Sequence, residues 1–319
     1  MAKKPRVIAL EEHYWDAEVA THFDGAEARS PKLRAKLDDL GALRIKEMDE
    51  AGIDVQVISH GAPGMQRIDT ATAVPLAKRA NDRLAAGIAS HPDRFAAFAN
   101  IPVNDPKAAA DELERCVDKL GFKGAMVHGL NQEGLFIDDK RFWPIFERAR
   151  KLDVPIYLHP AVPSPAVVNA YYKDYIKDYP NIATSAWGYT VETATQTIRL
   201  VLSGVFDAYP GLKIITGHMG ESIPFSLWRI NQSLNRGGNK PNNFRDTFCE
   251  HFWITTSGNF STPALICSMM EMGVDRILFS VDWPFVDNPP GADWMKQVPL
   301  GKEDLAKIYG ENAARLLKL

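Results

Sequence analysis

Histidines and carboxylates stand at the ends of short apolar runs along this chain of 319 residues. Imidazole nitrogens and carboxylate oxygens are the donors that hard and borderline divalent ions take in proteins. One such histidine is more often a satisfied polar residue than a ligand, but five of the eight histidines fall at these ends. The set therefore predicts a metal centre with a proton-transfer group beside it. Six residues carry this prediction: Glu11, His13, His159, His218, Glu221 and Asp282.

The first two donors, Glu11 and His13, lie two positions apart at the end of the run RVIALEEH. Side chains alternate between the two faces of a strand, so Glu11 and His13 share one face and Glu12 takes the other. A solvated turn of charged residues is the alternative for an isolated EEH sequence. Because a buried apolar run precedes it, we favour metal ligation.

The other donors follow later apolar runs. His159 ends IYLH before Pro160, and a buried capping histidine is the alternative there. Asp282 follows the last run; it either caps the next element or acts as a ligand that also gives and takes a proton. Glu221 is close enough to His218 to form a carboxylate–imidazole couple that tunes proton transfer.

Further side chains near these positions would form a substrate pocket. His128 either lines the pocket or hydrogen-bonds a neighbouring loop. Arg229, eleven positions after His218, either binds a substrate anion or forms a surface salt bridge. Aromatic residues in the same stretches suit a flat apolar substrate, with loop packing as the alternative for some of them. These aromatic residues are Trp15, Phe23, Trp187, Trp283 and Phe285.

Eight apolar runs of strand length would position these groups, and helical patterns separate them, for example at 105–121, 140–153 and 190–210. Alternating units of this kind favour a (β/α)8 barrel, with one domain over 1–319, rather than a doubly wound sheet. The stretches 14–40 and 160–190 are less regular and predict loops or short helices over the catalytic end. The eight runs are RVIALEEH, VQVISH, FAAFANI, KGAMVHG, PIYLHP, LKIITGH, FWITTSG and RILFSVDWP.

The composition argues against several classes of partner. A formal net charge of −3 is too close to neutral for nucleic acid or an anionic membrane. The sequence has no run of roughly 20 apolar residues, as a membrane span requires, and the N-terminal apolar run ends too soon for a signal peptide. Three cysteines far apart in the sequence indicate reduced thiols and a cytoplasmic location.

The ordered motifs resemble the amidohydrolase superfamily, in the branch of non-oxidative decarboxylases related to aminocarboxymuconate-semialdehyde decarboxylase. Within that branch they are most similar to the γ-resorcylate (2,6-dihydroxybenzoate), dihydroxybenzoate and salicylate decarboxylases. The resemblance runs from about residue 7 to the C-terminal NAARLLKL. The matching segments are LEEH, RANDRLA, DRFAAFA, LGFKGAMV, DVPIYLHP, FDAYPGLKIITGHMGE, TTSGNF and VDRILFSVDWPF.

The resemblance implies roles for individual residues. It implies one divalent ion, Zn²⁺ or Mn²⁺, and places Asp282 as the ligand that also handles the proton. It further implies a homodimer or homotetramer in which Arg229 reaches a neighbouring subunit's site. The implied metal ligands are Glu11, His13, His159 and Asp282.

The chain also departs from these decarboxylases at pocket positions. His128 stands where they typically have asparagine, and Pro160–Pro163 lacks an expected arginine. The first loop after LEEH differs as well. These departures leave the metal chemistry intact but bear on which substrate is accepted.

The expected activity is non-oxidative decarboxylation of a small ortho-hydroxylated benzoate, with Asp282 protonating the ring carbon. Glu11 stands where many hydrolytic members of the superfamily have histidine. Its extra negative charge would make the metal a weaker activator of water, which favours substrate chelation. A metal-dependent hydrolase of a lactone or cyclic amide is the alternative, and a non-catalytic metal-binding barrel is a more distant one.

Overall fold

The computed structural model describes residues 5–23 and 30–319, and its parallel strands form a barrel with eight strand positions. Two short strands share the third position and are separated at Phe98. The backbone N of Phe98 donates to Ile58 O on one side, and Ala99 N donates to Gly124 O on the other. The predicted (β/α)8 fold is therefore confirmed. The strands are β1 (Ile8–Tyr14), β2 (Val55–His60), β3 (Phe95–Ala97), β4 (Ala99–Asn100), β5 (Ala125–His128), β6 (Ile156–His159), β7 (Ile214–Thr216), β8 (Phe252–Thr255) and β9 (Ile277–Leu278).

Helices surround this barrel and carry most of its outer packing. The longer ones follow the strands, as expected for β/α units. They are α1 (Ala17–Ala20), α2 (Pro31–Asp38), α3 (Ala42–Ala51), α4 (Thr70–Ile88), α5 (Pro106–Leu120), α6 (Trp143–Leu152), α7 (Pro165–Tyr171), α8 (Gly188–Leu202), α9 (Val205–Ala208), α10 (His218–Glu221), α11 (Ile223–Leu234), α12 (Phe244–His251), α13 (Thr262–Met272), α14 (Asn288–Gln297), α15 (Lys302–Ala306) and α16 (Asn312–Leu317).

The helix predictions differ from the structure mainly at one break. The pattern over 190–210 predicted one helix, but α8 ends at Leu202 and α9 begins at Val205. Gly204 between them has φ +86°, in the left-handed region that interrupts a helix. The less regular stretches contain the short helices α1, α2 and α7, while residues 24–29 lie outside the described part of the chain.

Two buried apolar layers stabilise the barrel. Alternate strand residues such as Leu10, Val57 and Tyr157 pack together with the C-terminal helix α16. The residues between them in sequence, such as Ala9 and Ile58, pack with the surrounding helices. Polar side chains replace this apolar packing towards the C-terminal ends of the strands, where barrel enzymes place their chemistry. None of the described helices is long and apolar enough to cross a membrane.

Candidate metal centre and active site

An irregularity in β1 brings Glu11 into the barrel. Between Ala9 and Glu12 the strand takes three steps where β2 takes two, so β1 has a bulge. Strict alternation from Leu10, which packs inside the barrel, would turn Glu11 outward. Because a bulge adds one residue to a strand, Leu10 and Glu11 both face inward. His13 then lies on the same side as Glu11, and Glu12 turns away from it.

The two oxygens of the Glu11 carboxylate have different surroundings. Oε2 accepts hydrogen bonds from the hydroxyls of Tyr157, Ser257 and Thr255, the last at 3.2 Å. Oε1 is buried and has no hydrogen bond from the described residues, although it lies 3.2 Å from His159 Nε2. The hydroxyls therefore hold the carboxylate in place while Oε1 is directed at the other donors.

Four donors converge around Oε1. Glu11, His13, His159 and Asp282 each offer one atom, and these atoms all lie within 4.8 Å of one another. His159 Nδ1 donates to Pro160 O at 2.7 Å, which leaves the Nε2 lone pair for a metal. His13 Nδ1 lies 3.1 Å from the hydroxyl of Ser59, so Nε2 of His13 also faces the centre.

The charges of this group suit a cation. Burial lowers the pKa of His13, which keeps the imidazole neutral. Burial alone would raise the pKa of Glu11, but His218 and His159 outweigh it and hold that pKa below its usual range. For Asp282 burial is likewise outweighed, by the nearby imidazoles of His13 and His218, and the pKa is lowered. Ionised carboxylates and a neutral His13 imidazole are the forms in which these groups bind a metal.

The donor set therefore fits one divalent ion. Oε1 of Glu11 and Nε2 of His13 are buried without a hydrogen bond from the described residues, and a buried polar atom left in that condition is costly. A metal ion would satisfy both atoms. Mixed nitrogen and oxygen donors suit Zn²⁺ or Mn²⁺.

His218 is presented by an unusual turn. The residues 218–222 all have positive φ, between 50° and 70°, which is strained for residues other than glycine. The turn places His218 Nδ1 2.8 Å from Glu221 Oε1 and His218 Nε2 3.9 Å from Asp282 Oδ2. Burial would lower the pKa of His218, but the nearby carboxylates, Glu11 first among them, raise it well above its ordinary value. These carboxylates therefore favour the protonated form of the imidazole.

Two of the predicted pocket residues, Phe285 and His128, lie beside the metal donors. The ring centroid of Phe285 is 5.6 Å from that of His13. His128 is buried, with Nδ1 3.1 Å from His159 Nδ1, so it contacts the ring of a metal donor. Phe23 lies further out and packs edge-on against Trp15, with the ring centroids 6.3 Å apart.

Trp283 and Arg229, also predicted to line the pocket, are not brought to the centre within one chain. Trp283 follows Asp282, but its ring faces away from the centre. There its Nε1 donates to Glu47 at 2.7 Å, and the guanidinium of Arg44 lies 4.1 Å from the ring centroid. Trp283 is fully buried. Arg229 is exposed on α11, in a surface groove of about 450 Å³.

Sequence reasoning assigned no role to the hydroxyls that hold Glu11. Tyr157 lies two positions before His159, and Thr255 two positions before Ser257, so each pair shares a strand face. Alternation was therefore a signal that placed Tyr157 inside the barrel below the predicted ligand. Which inward residue it would contact depends on the barrel geometry.

Comparisons with known proteins agree with this site. Residues 12–319 match the family described as Amidohydrolase. The chain is 42% identical to the gamma-resorcylate decarboxylase of Polaromonas sp. strain JS666, with 98% of each chain covered. The structure of dihydroxybenzoic acid decarboxylase from Polaromonas sp. JS666, with manganese and the inhibitor 2-nitroresorcinol, has a TM-score of 0.91 at 41% identity and covers 99% of this chain and 98% of its own. A 2,6-dihydroxybenzoate decarboxylase in complex with 2,6-dihydroxybenzoate has a TM-score of 0.90 at 41% identity and covers 99% and 100%.

Proposed function

The chain belongs to the amidohydrolase family, and from this membership we propose that it is a metal-dependent, non-oxidative decarboxylase of an ortho-hydroxylated benzoate. The resemblance inferred from the motifs is confirmed by relatives at 42% identity over nearly the whole chain. 2,6-Dihydroxybenzoate, which relatives bind, is the first candidate substrate, followed by other dihydroxybenzoates and salicylate.

The observation that carries the proposal is the donor set itself. Glu11, His13, His159 and Asp282 would hold one Zn²⁺ or Mn²⁺ ion, and two carboxylates neutralise its charge. When bound, the ion would supply a template and Lewis acid for the phenol and carboxylate oxygens of the substrate. A centre of low net charge activates water poorly, so the decarboxylase is favoured over a hydrolase of a lactone or cyclic amide.

Proton transfer is proposed to involve Asp282, His218 and Glu221. Asp282 must gain a proton before it can give one, because its pKa is lowered. His218 Nε2 lies 3.9 Å from Asp282 Oδ2, and the surrounding carboxylates raise the pKa of His218, so we propose His218 as the source of that proton. Glu221 holds the imidazole through Nδ1. Asp282 then protonates the ring carbon that bears the carboxylate.

Protonation of this ring carbon allows the bond between the ring and the carboxylate to break. It interrupts the aromaticity of the ring, and the carbon–carbon electron pair returns to the ring as CO₂ leaves. The products are the phenol and CO₂, and one proton is consumed for each benzoate anion. Phe285, beside His13, and His128, beside His159, are proposed to contact the substrate ring or its substituents.

Turnover of a hydroxybenzoate panel tests the proposal. The purified protein, loaded with Mn²⁺ or Zn²⁺, should release CO₂ and the matching phenol, measured by chromatography. Asp282→Asn should lower kcat by about 10²- to 10⁴-fold, the usual contribution of a general acid. Asp275→Asn, which alters a surface ion pair with Lys307, is the matched control. Hydrolysis of a lactone panel with no decarboxylation would contradict the proposal.

We extend the proposal to assembly, domain organisation and location. The exposed apolar face of α11 supports a homodimer or homotetramer in which Arg229 reaches a neighbouring copy's site. Residues 1–319 are proposed to form one domain. A cytoplasmic location is proposed from the three unpaired cysteines, which suit a reducing compartment.

A further inference from the structure

The barrel closes between β1 and β9 without a regular ladder of strand hydrogen bonds, although both strands lie in the described part of the chain. Isolated bonds replace the ladder. His13 N donates to Trp283 O at 2.6 Å, and Glu11 N donates to Ser280 Oγ at 2.7 Å. This closure separates the first two metal donors from Asp282, so its geometry sets the distance between them.

The carboxylate of Glu12 provides most of the remaining contacts across this closure. Its Oε1 accepts from Ser280 Oγ and from Val281 N, each at 3.0 Å. Its Oε2 accepts from Trp283 N at 3.0 Å. The side chain is fully buried. Glu12 therefore binds the peptide N–H groups on both sides of Asp282.

Asp282 needs such a restraint. Its φ is +78°, a conformation that is unfavourable for a residue with a Cβ atom and persists only where the surroundings impose it. The backbone N–H groups of Val281 and Trp283 lie on either side of Asp282 in the sequence. Glu12 binds both, with one oxygen for each.

We propose that Glu12 is a positioning residue of the metal centre. Its backbone lies between Glu11 and His13, and its side chain holds the peptide groups that flank Asp282. One residue thereby fixes three of the four metal donors relative to one another. This inference rests on the proposed metal centre and deepens it.

Arg44 supports the same arrangement from outside the barrel. It is fully buried and donates from NH2 to His13 O at 2.6 Å. It also donates from NH1 to Gln56 Oε1 at 3.2 Å, and Gln56 lies 3.5 Å from Glu12 Oε2. Gln56 therefore links Arg44 to Glu12 behind the site.

The Mn²⁺ affinity of Glu12→Gln tests the proposal. An amide has one acceptor oxygen, so its NH₂ group must face one of the two N–H groups beside Asp282. We expect Mn²⁺ to bind at least about tenfold more weakly, as for other residues that orient metal ligands. The affinity is measured by competition with a chelator, together with the unfolding midpoint of the metal-free protein.

Leu316→Ala is the control for lost stability alone, because Leu316 is an apolar residue of α16 and is not one of the four donors. It should lower the unfolding midpoint of the metal-free protein but change Mn²⁺ affinity less than about twofold. Wild-type affinity in Glu12→Gln, or an equal loss in the two variants, would overturn the positioning role.

Ser280→Ala provides a second test if Glu12→Gln does not fold. Ser280 Oγ accepts from Glu11 N and donates to Glu12 Oε1, so its loss loosens the same contacts. A threefold or greater loss of Mn²⁺ affinity supports the role, and wild-type affinity overturns it. If the wild-type protein binds neither Mn²⁺ nor Zn²⁺, the proposed metal centre is overturned and the positioning role with it.

Discussion

Glu11 shows at the scale of one residue how a buried carboxylate can be both anchored and free to bind. Three hydroxyls surround Oε2, and each can donate to a charged acceptor, which gives stronger hydrogen bonds than neutral pairs do. Oε2 therefore fixes the orientation of the carboxylate, and Oε1 remains available for a metal. Burial and the nearby Glu11 charge raise the pKa of Tyr157 well above its ordinary value, so this hydroxyl remains a donor.

Tyr157→Phe should weaken metal binding without removing a ligand. The change deletes one donor to Oε2 and keeps the ring that packs inside the barrel. A hydrogen bond to a charged group contributes about 1.5–3 kcal/mol, so we expect the metal dissociation constant to rise about tenfold or more. Chelator competition measures this, with Tyr175→Phe at an exposed tyrosine as the control. Unchanged affinity would show that Ser257 and Thr255 suffice.

The residue types and spacing were enough to predict which side chains converge. Alternation placed Glu11 and His13 on one face, and His159 and Asp282 were recognised as the ends of later strands. The same reasoning placed Trp283 in the pocket, where the structure has it buried behind the site. Sequence could not separate these cases, because a strand end bears side chains on both faces and only the closed barrel decides which face is inside.

The end of β7 must leave room for the Glu11 carboxylate. A Cβ atom on Gly217 would lie 2.7 Å from Glu11 Oε2 and 3.0 Å from Oε1. The φ of Gly217 is −75°, which other residues adopt freely. Glycine is therefore needed here for space and not for conformation.

Gly217→Ala should displace the Glu11 carboxylate and weaken metal binding more than it affects folding. We expect at least about a tenfold rise in the metal dissociation constant, as for other changes that disturb ligand orientation. Gly301→Ala is the control, since a Cβ there meets nothing within 4 Å and its φ is −66°. If Gly217→Ala binds metal as the wild type does, the close approach is absorbed elsewhere.

The elements themselves were predicted more fully than their irregularities. Helical and strand periodicity identified the eight units, because each buries one face in the barrel. The bulge in β1 and the left-handed turn at 218–222 had no such signal. The turn contains only one glycine, so its conformation depends on the contacts of His218 and Glu221 rather than on local preference.

Asp16 links α1 to α4 beside the site. Its carboxylate accepts from the backbone N of Glu18 and Val19 and is paired with Arg83 at 2.7 Å. Burial would raise the pKa of Asp16, but Arg83 and the backbone donors outweigh it and lower that pKa below 3.8. A carboxyl group with a lowered pKa stabilises the fold above the unfolded-state pKa. This stabilisation is lost as the pH falls through the folded-state pKa.

Asp16→Asn should therefore destabilise the protein in a pH-dependent way. At pH 7 we expect the free energy of unfolding to fall by about 1–2 kcal/mol, because the charged pair with Arg83 is lost. The difference from the wild type should shrink as the pH falls below about 4. Urea unfolding at a series of pH values measures this. Asp38→Asn, at an exposed pair with Arg34, should change little at any pH.

At the scale of the whole molecule, α11 exposes an apolar face beside Arg229. Phe225 is 85% and Trp228 is 67% exposed, and on the adjacent α13 Met270 is 80% exposed. Single exposed apolar residues are common, but several large ones on adjacent helices are typical of a protein interface. A second copy of the chain would cover this face, and a two-fold axis would carry Arg229 towards the partner.

Mixing two inactive variants tests whether Arg229 acts across such an interface. We expect Asp282→Asn and Arg229→Ala each to lose most activity when expressed alone. Within a hybrid pair, one site has an intact Asp282 and receives the intact Arg229 of the other chain. Half of the pairs in an equal, random mixture are hybrids with one complete site, so co-expression should restore about a quarter of wild-type activity.

An Arg229 that serves its own chain gives the opposite result. Every site in a hybrid pair would then lack either the aspartate or the arginine, and co-expression would restore nothing. Arg236→Ala, at an exposed arginine beyond the end of α11, controls for loss of surface charge and should remain active. Differently tagged chains allow the hybrids to be purified, so that activity is measured on the mixed assembly itself.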